Sequence, residues 1–121
     1  MKTVDKSRTN AEKSLTAPDE IAELAMLYDK YGELIKEGQQ EIFEAYVLDN
    51  LTLAEIADEC DMTRQGVYDT INRARKKLRE YEKKLHLVEN EKKISDHLMR
   101  IESIAGDDAV REEARLIREL I

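Results

Sequence analysis

The sequence has no tryptophan, one phenylalanine, one proline, one cysteine and four glycines in 121 residues. Each scarcity excludes something. The lone Cys60 forms no internal disulfide, which points to a reducing, cytoplasmic setting. Few glycines and one proline leave little to punctuate strands and tight turns, so the expected fold class is all-α. No apolar run approaches the roughly 18 residues of a membrane span. Residues 1–10 carry no apolar core, so no secretory signal is expected. Cys60, His86 and His97 lack the spacing of zinc ligands, and no P-loop or GxGxxG run occurs. No metal, no cofactor and no enzymatic activity is therefore expected. Cys60 reads as a small buried hydrophobe.

What the chain has in abundance is charge, at 39% of residues and a net −7. The charge is unevenly spread. Residues 1–62 hold six basic and fifteen acidic side chains, −9. Residues 63–85 hold eight basic and three acidic, +5, and residues 86–121 hold six and nine, −3. A net acidic balance argues against non-specific coating of nucleic acid. The +5 stretch is either a solvated helix face or a local contact for phosphates.

The hydrophobic period is helical throughout. Residues 1–17 have no apolar period and read as a poorly ordered arm or a short irregular helix. Pro18 suits a first helical turn, with Thr16 as its expected N-cap and Asp19 and Glu20 facing the positive helix end. Ile21, Leu24, Ala25, Tyr28, Tyr31 and Ile35 then mark one apolar face, with Gly32 inside it. Lys36-Glu37-Gly38 reads as a turn. A second helix follows over residues 39–48, with Ile42, Phe43, Tyr46 and Val47 inward, broken by Asp49-Asn50. Thr52-x-x-Glu55 is a capping box opening a short helix over residues 53–60. Asp61-Met62 is a turn, and Thr63 is a second N-cap. No breaker follows until about Leu85. Ile71, Ala74, Leu78, Tyr81, Leu85 and Val88 form a seam of nearly three heptads, packed either within the chain or in a dimer. A helix is expected over residues 90–105, with Ile94, Leu98, Ile101 and Ile104 apolar and Gly106 as its C′ stop. Asp107 caps a last amphipathic helix over residues 108–121, with Val110, Ala114, Ile117, Leu120 and Ile121 on one side.

A short helix, a tight turn and a longer helix is the helix-turn-helix arrangement. Ala57 stands where the two helices cross, Met62 and Val67 supply apolar contacts, and Ile71 anchors the second helix. Its polar outer positions are Arg64, Gln65, Tyr68, Asp69 and Asn72. If DNA is bound, these face the major groove, with Arg64 suited to guanine and Gln65 or Asn72 to adenine. Arg73, Lys76, Lys77 and Lys84 then meet phosphates. Tyr68 is placed to stack on a base. The organisation expected is an arm over residues 1–17, a helix-turn-helix domain without a wing over 18–89, and C-terminal helices over 90–121.

The run Leu27-Tyr28-Asp29-Lys30-Tyr31-Gly32, then Gln40-Glu41-Ile42-Phe43, Asp49-Asn50-Leu51-Thr52-Leu53-Ala54-Glu55-Ile56-Ala57, Thr63-Arg64-Gln65-Gly66-Val67-Tyr68-Asp69 and Tyr81-Glu82-Lys83-Lys84-Leu85 closely resembles the YlxM family of small bacterial helix-turn-helix proteins. The resemblance spans about residues 24–98. This motif is similar to region 4 of the primary sigma factors, which implies a sigma region 4-like helical bundle and a DNA-binding ancestry. By that likeness base contacts fall on Arg64, Gln65 and Asp69. Asp69 departs from the usual uncharged polar residue, Tyr68 stands where sigma factors have a basic one, and Gly66 stands where the family has alanine. Family members are usually encoded beside the signal recognition particle GTPase. The resemblance thus implies an accessory or regulatory role in protein targeting, with that GTPase or its RNA as partner. The alternatives are a sequence-specific DNA-binding regulator and an interaction module that dimerises through the C-terminal helices.

Overall fold

The computed structural model describes residues 17–121, and among them every regular element is helical. The expected N-terminal arm lies outside the described residues, apart from Ala17. Two compact units are present, the first ending at Lys84 and the second covering Leu85–Ile121. The boundary expected at residue 89 falls inside the first helix of the second unit.

In the first unit, α1 (Pro18–Tyr31) starts with proline at the position where a missing N–H costs nothing. Its N-cap is Ala17, in extended backbone and without a side-chain cap; the expected N-cap Thr16 lies outside the described residues. Leu24, Leu27 and Tyr31 are its buried face. Ile21, Ala25 and Tyr28 are only half-buried. The helix stops before Gly32, which opens a 3₁₀ turn (Gly32–Leu34) rather than lying inside α1. The missing side chain leaves room for the Tyr28 ring: a Cβ at position 32 would lie 2.9 Å from it. Tyr28 in turn stacks on Phe43 at 5.3 Å between centroids. Burial, helped by a hydrogen bond from its hydroxyl to the Glu44 carboxylate, pushes the Tyr28 pKa up to about 12.

The second helix, α2 (Glu37–Val47), begins two residues before its expected start. Glu37 and Gly38 stand in its first turn, and the acidic Glu37 at the positive end offsets the weak helix propensity of Gly38. Ile42, Phe43, Tyr46 and Val47 are all buried, as their spacing requires. Asn50 then takes a left-handed conformation with φ 56° and ends the run.

The short helix α3 (Leu53–Cys60) has the bounds its capping box dictates. The Glu55 amide donates to Thr52 Oγ1 at 3.2 Å, and the Thr52 amide donates to Glu55 Oε1 at 2.9 Å. Two orphan donors are thereby satisfied at once. Thr52→Ala is expected to destabilise the fold by about 1 kcal/mol. Urea denaturation checks this, and an unchanged midpoint would deny the box an energetic role. Cys60, expected to be buried, is exposed at the end of α3 because Ile56 and Ala57 already fill the inward face.

The longest helix, α4 (Arg64–Leu85), buries Val67, Thr70, Ile71, Ala74 and Leu78. The heptad seam expected through Val88 is cut short. Leu85 is half exposed, and His86 adopts φ 55°, so Val88 belongs to the next helix.

In the second unit, α5 (Leu87–Ile104) starts three residues before expectation because a single left-handed residue, His86, replaces a loop. The Glu89 carboxylate lies 3.0 Å from His86 Nδ1. The expected left-handed glycine stop is absent: Ala105 leaves α5 in extended backbone, and Gly106 has no positive φ. The last helix, α6 (Asp108–Glu119), is capped by Asp107, whose carboxylate accepts from the Ala109 amide at 2.8 Å. Of its expected inward face only Ala114 is buried. Arg118 joins the two helices by hydrogen bonds to Glu102 and to Ser95.

Candidate nucleic-acid interface

The α3–turn–α4 unit follows from a few local devices. Asp61 takes φ 53° and turns the chain sharply, while the Met62 amide donates back to the Ala57 carbonyl at 3.0 Å. Ile56, Ala57, Val67 and Ile71 are buried between the two helices and the body of the unit. Thr63 caps α4: its hydroxyl accepts from the Gly66 amide at 2.9 Å. A Cβ at Gly66 would lie 3.0 Å from that same hydroxyl oxygen. The glycine therefore permits a close cap, which offsets its poor helix propensity. Thr70 adds a hydrogen bond from its hydroxyl to the Gly66 carbonyl at 2.8 Å.

The candidate residues fall into three groups along α4. Thr63, Arg64, Gln65, Tyr68 and Asn72 cluster at its N-terminal end. Thr63 is engaged as the cap. Gln65 is exposed, and its amide donates to Asp69 Oδ1 at 2.9 Å. Tyr68 and Arg64 are half-buried. Asn72 accepts a hydrogen bond from Arg75. The second group is Arg73, Lys76 and Lys77, all exposed at mid-helix. Lys84 stands apart: twenty residues of helix, about 30 Å at 1.5 Å per residue, separate it from Arg64.

The basic residues of α4 divide by direction. Arg75 reaches Glu20 of α1 at 3.3 Å, and Arg79 reaches Glu20 at 2.5 Å and Glu23 at 3.5 Å. Among the described residues Arg73, Lys76, Lys77 and Lys84 have no such carboxylate. So two of the eight basic side chains of the +5 stretch tie α1 to α4, and the cations singled out from sequence lie elsewhere on the helix. Sequence reading missed Lys36 and Gln39, which line a groove with Arg73, Lys76 and Lys77. No signal in the acidic first half of the chain marks them, because only packing brings the start of α2 against α4.

The hydrogen bond from Arg79, reinforced by the nearby charge of Arg75, holds the Glu20 carboxyl below its ordinary pKa against the opposing effect of burial. A depressed folded pKa contributes stability above the unfolded value, roughly 4.3, and loses it as pH falls through the folded value. Thermal melts from about pH 6 to about pH 3 are therefore expected to fall less steeply for Glu20→Gln than for the unaltered chain. Parallel curves would show that the pair carries no linkage.

Among the described residues no group of three His, Cys, Asp or Glu is arranged to hold a metal ion. No described helix is long and apolar enough to cross a membrane.

Comparison with known proteins places nearly all of the helical region in one family. Residues 19–117 match the profile of UPF0122, described as helix-turn-helix, YlxM / p13 like. A UPF0122 protein of Thermoanaerobacter sp. (strain X514) is 41% identical over 97 residues, covering 80% of this chain and 81% of the relative. One from Caldanaerobacter subterraneus subsp. tengcongensis is 44% identical over 86 residues, 71% of each chain. One from Halalkalibacterium halodurans is 37% identical over 101 residues, 84% of this chain and 93% of the relative. With a capped short helix, a left-handed turn residue and a capped long helix in the matched region, the chain belongs to the UPF0122 family of YlxM / p13-like helix-turn-helix proteins.

Proposed function

We propose that this protein is a non-enzymatic accessory or regulatory protein of the signal recognition particle pathway, acting in the cytoplasm by binding the particle's RNA through α4. The observation that carries the binding mode is the line of exposed cations. Arg73, Lys76, Lys77 and Lys84 lie on the exposed surface of one helix, and no carboxylate among the described residues pairs with them. From Arg73 to Lys84 the line runs about 16 Å. That length suits a backbone followed along several phosphates more than one insertion into a major groove. The choice of pathway rests on the family resemblance.

A DNA-binding transcriptional regulator is the second reading, favoured by Arg64 at the start of the second helix of a helix-turn-helix. Two features of the base-facing end count against it. The Gln65 amide is engaged with Asp69, and the Asp69 carboxylate puts negative charge where bases and phosphates would approach.

A salt titration of binding to the particle's RNA, to its GTPase and to matched duplex DNA tests both. RNA binding is expected, with log K falling linearly in log salt. Failure to bind either RNA or GTPase at physiological salt overturns the targeting role. Enrichment of one duplex from a random pool, at about 10⁻⁸ M or tighter, would establish the transcriptional reading instead.

A further inference from the structure

The groove between the α1–α2 connection and the middle of α4 belongs to neither helix of the helix-turn-helix alone. It has a volume of about 380 Å³. Leu34 and Ile35 form its apolar side, and Lys36, Arg73, Lys76 and Lys77 supply four cations. Gln39 and one carboxylate, Glu80, complete it. The volume falls in the range of sites that hold a few side chains. Its walls are held in place: the Tyr81 hydroxyl donates to the Leu34 carbonyl at 3.4 Å, and the Gln40 amide donates to the Ile35 carbonyl at 2.8 Å. Leu34 is 56% exposed, an apolar side chain facing water in a groove that these cations line.

We infer that this groove is a docking site for an acidic peptide segment carrying one apolar anchor, supplied by a protein partner. The chemistry selects that occupant over others. A nucleic-acid duplex is too thick to enter a groove of this volume. A splayed nucleotide would bring phosphate to the cations, but no aromatic ring lines the groove to stack its base. A carboxylate-rich peptide pairs with Lys36, Arg73, Lys76 and Lys77, while its apolar side chain covers Leu34 and Ile35. The net charge of the chain is −7, which disfavours such a partner in general and favours its docking on this cationic groove. The site goes beyond the RNA-binding reading. It shares Arg73, Lys76 and Lys77 with that reading, so the two occupants exclude each other. Lys36 and Leu34 belong to the groove alone, and Arg64 to the base-facing end alone.

The test uses the full chain and a fluorescein-labelled octapeptide of aspartate and glutamate with one central leucine. A second probe has alanine in place of leucine. Fluorescence anisotropy at low salt is expected to show binding of the leucine probe, about threefold tighter than the alanine probe, a difference well below one decade. Lys36→Glu and Leu34→Ala each weaken it by about fivefold or more, whereas Arg64→Ala leaves it unchanged. Both groove positions are exposed, and unchanged thermal melts confirm that the variants fold. Equal binding by Lys36→Glu and the unaltered chain overturns the proposal. So does equal loss in Arg64→Ala, which marks unspecific charge attraction. A single-stranded oligonucleotide that depends on Lys36 and Leu34 more than the peptide does also overturns it. RNA binding that fails while peptide binding follows this pattern overturns the RNA-binding mode of the proposed function and leaves the groove assignment standing.

Discussion

Phe43→Ala is expected to lower the unfolding free energy by about 3–5 kcal/mol, the usual cost of removing a fully buried aromatic side chain. Phe43 is 0% exposed and is the sole phenylalanine of the chain. Its ring stacks on Tyr28 at 5.3 Å with an interplanar angle of 30°. It projects from α2, which packs against both α1 and α3. Neither neighbour can collapse easily into the space left. Tyr28 is held by its hydrogen bond to Glu44, and Gly32 lies close to its ring. A domain of this size has about 5–15 kcal/mol of stability in total, so the loss removes a fifth or more of it and should lower the melting temperature clearly. Urea denaturation followed by circular dichroism measures the effect. Met99→Ala is the control, because Met99 is 60% exposed, and its midpoint should not move appreciably. A loss for Phe43→Ala of under about 1.5 kcal/mol would place the structural centre of the first unit elsewhere.

The double substitution Lys76→Glu/Lys77→Glu should weaken RNA binding by about 10- to 100-fold at low salt, equivalent to about 1.4–2.8 kcal/mol. Both side chains are exposed, so the reversal acts on the partner and not on the core. The salt slope is the more decisive readout. Losing two phosphate contacts should reduce its magnitude by about 1.4, the single-strand value of 0.7 per contact counted twice. The two arginines one step round the helix offer the contrast. Arg75→Glu and Arg79→Glu would place negative charge beside Glu20 and separate α1 from α4, so their first effect is on stability. A double lysine variant with unchanged slope would remove the cation line from the proposed function.

Much of the first unit was legible because its signals are local. The box of Thr52 and Glu55 set both ends of its own hydrogen bonds, and α3 has the predicted bounds. Thr63 could be recognised as a cap because a hydroxyl at that position reaches an amide three residues on. Ile42, Phe43, Tyr46 and Val47 were legible from their spacing, since a 3.6-residue period turns them to one side. Errors occurred where a backbone dihedral or a distant side chain decides. Positive φ is uncommon for any residue but glycine, even though histidine is among those that adopt it, so the break at His86 has no clear sequence mark and the expected seam runs through it to Val88. The glycine at position 32 looked like a weak point in a helix, but the ring of Tyr28 makes it a requirement. Cys60 was assigned to the core from its type alone, whereas its place at the end of α3 turns it to solvent.

The candidate interface shows the same division more sharply. Sequence by itself determined that the chain is helical, that a capped short helix and a capped long helix form a helix-turn-helix, and that positive charge is concentrated on the second of these. Those properties depend on residues within a few positions of one another. Only the tertiary structure decided what each charge does. Glu20 stands 55 and 59 positions from the arginines it engages, so no local pattern could show that Arg75 and Arg79 brace α1 while Lys76 and Lys77 face outward. Lys36 lies in the acidic part of the sequence, yet packing brings it beside Arg73 to complete a cationic groove. Charge is a property of composition, but a charged side chain is available to a partner only where the folded chain has not already placed an opposite charge against it.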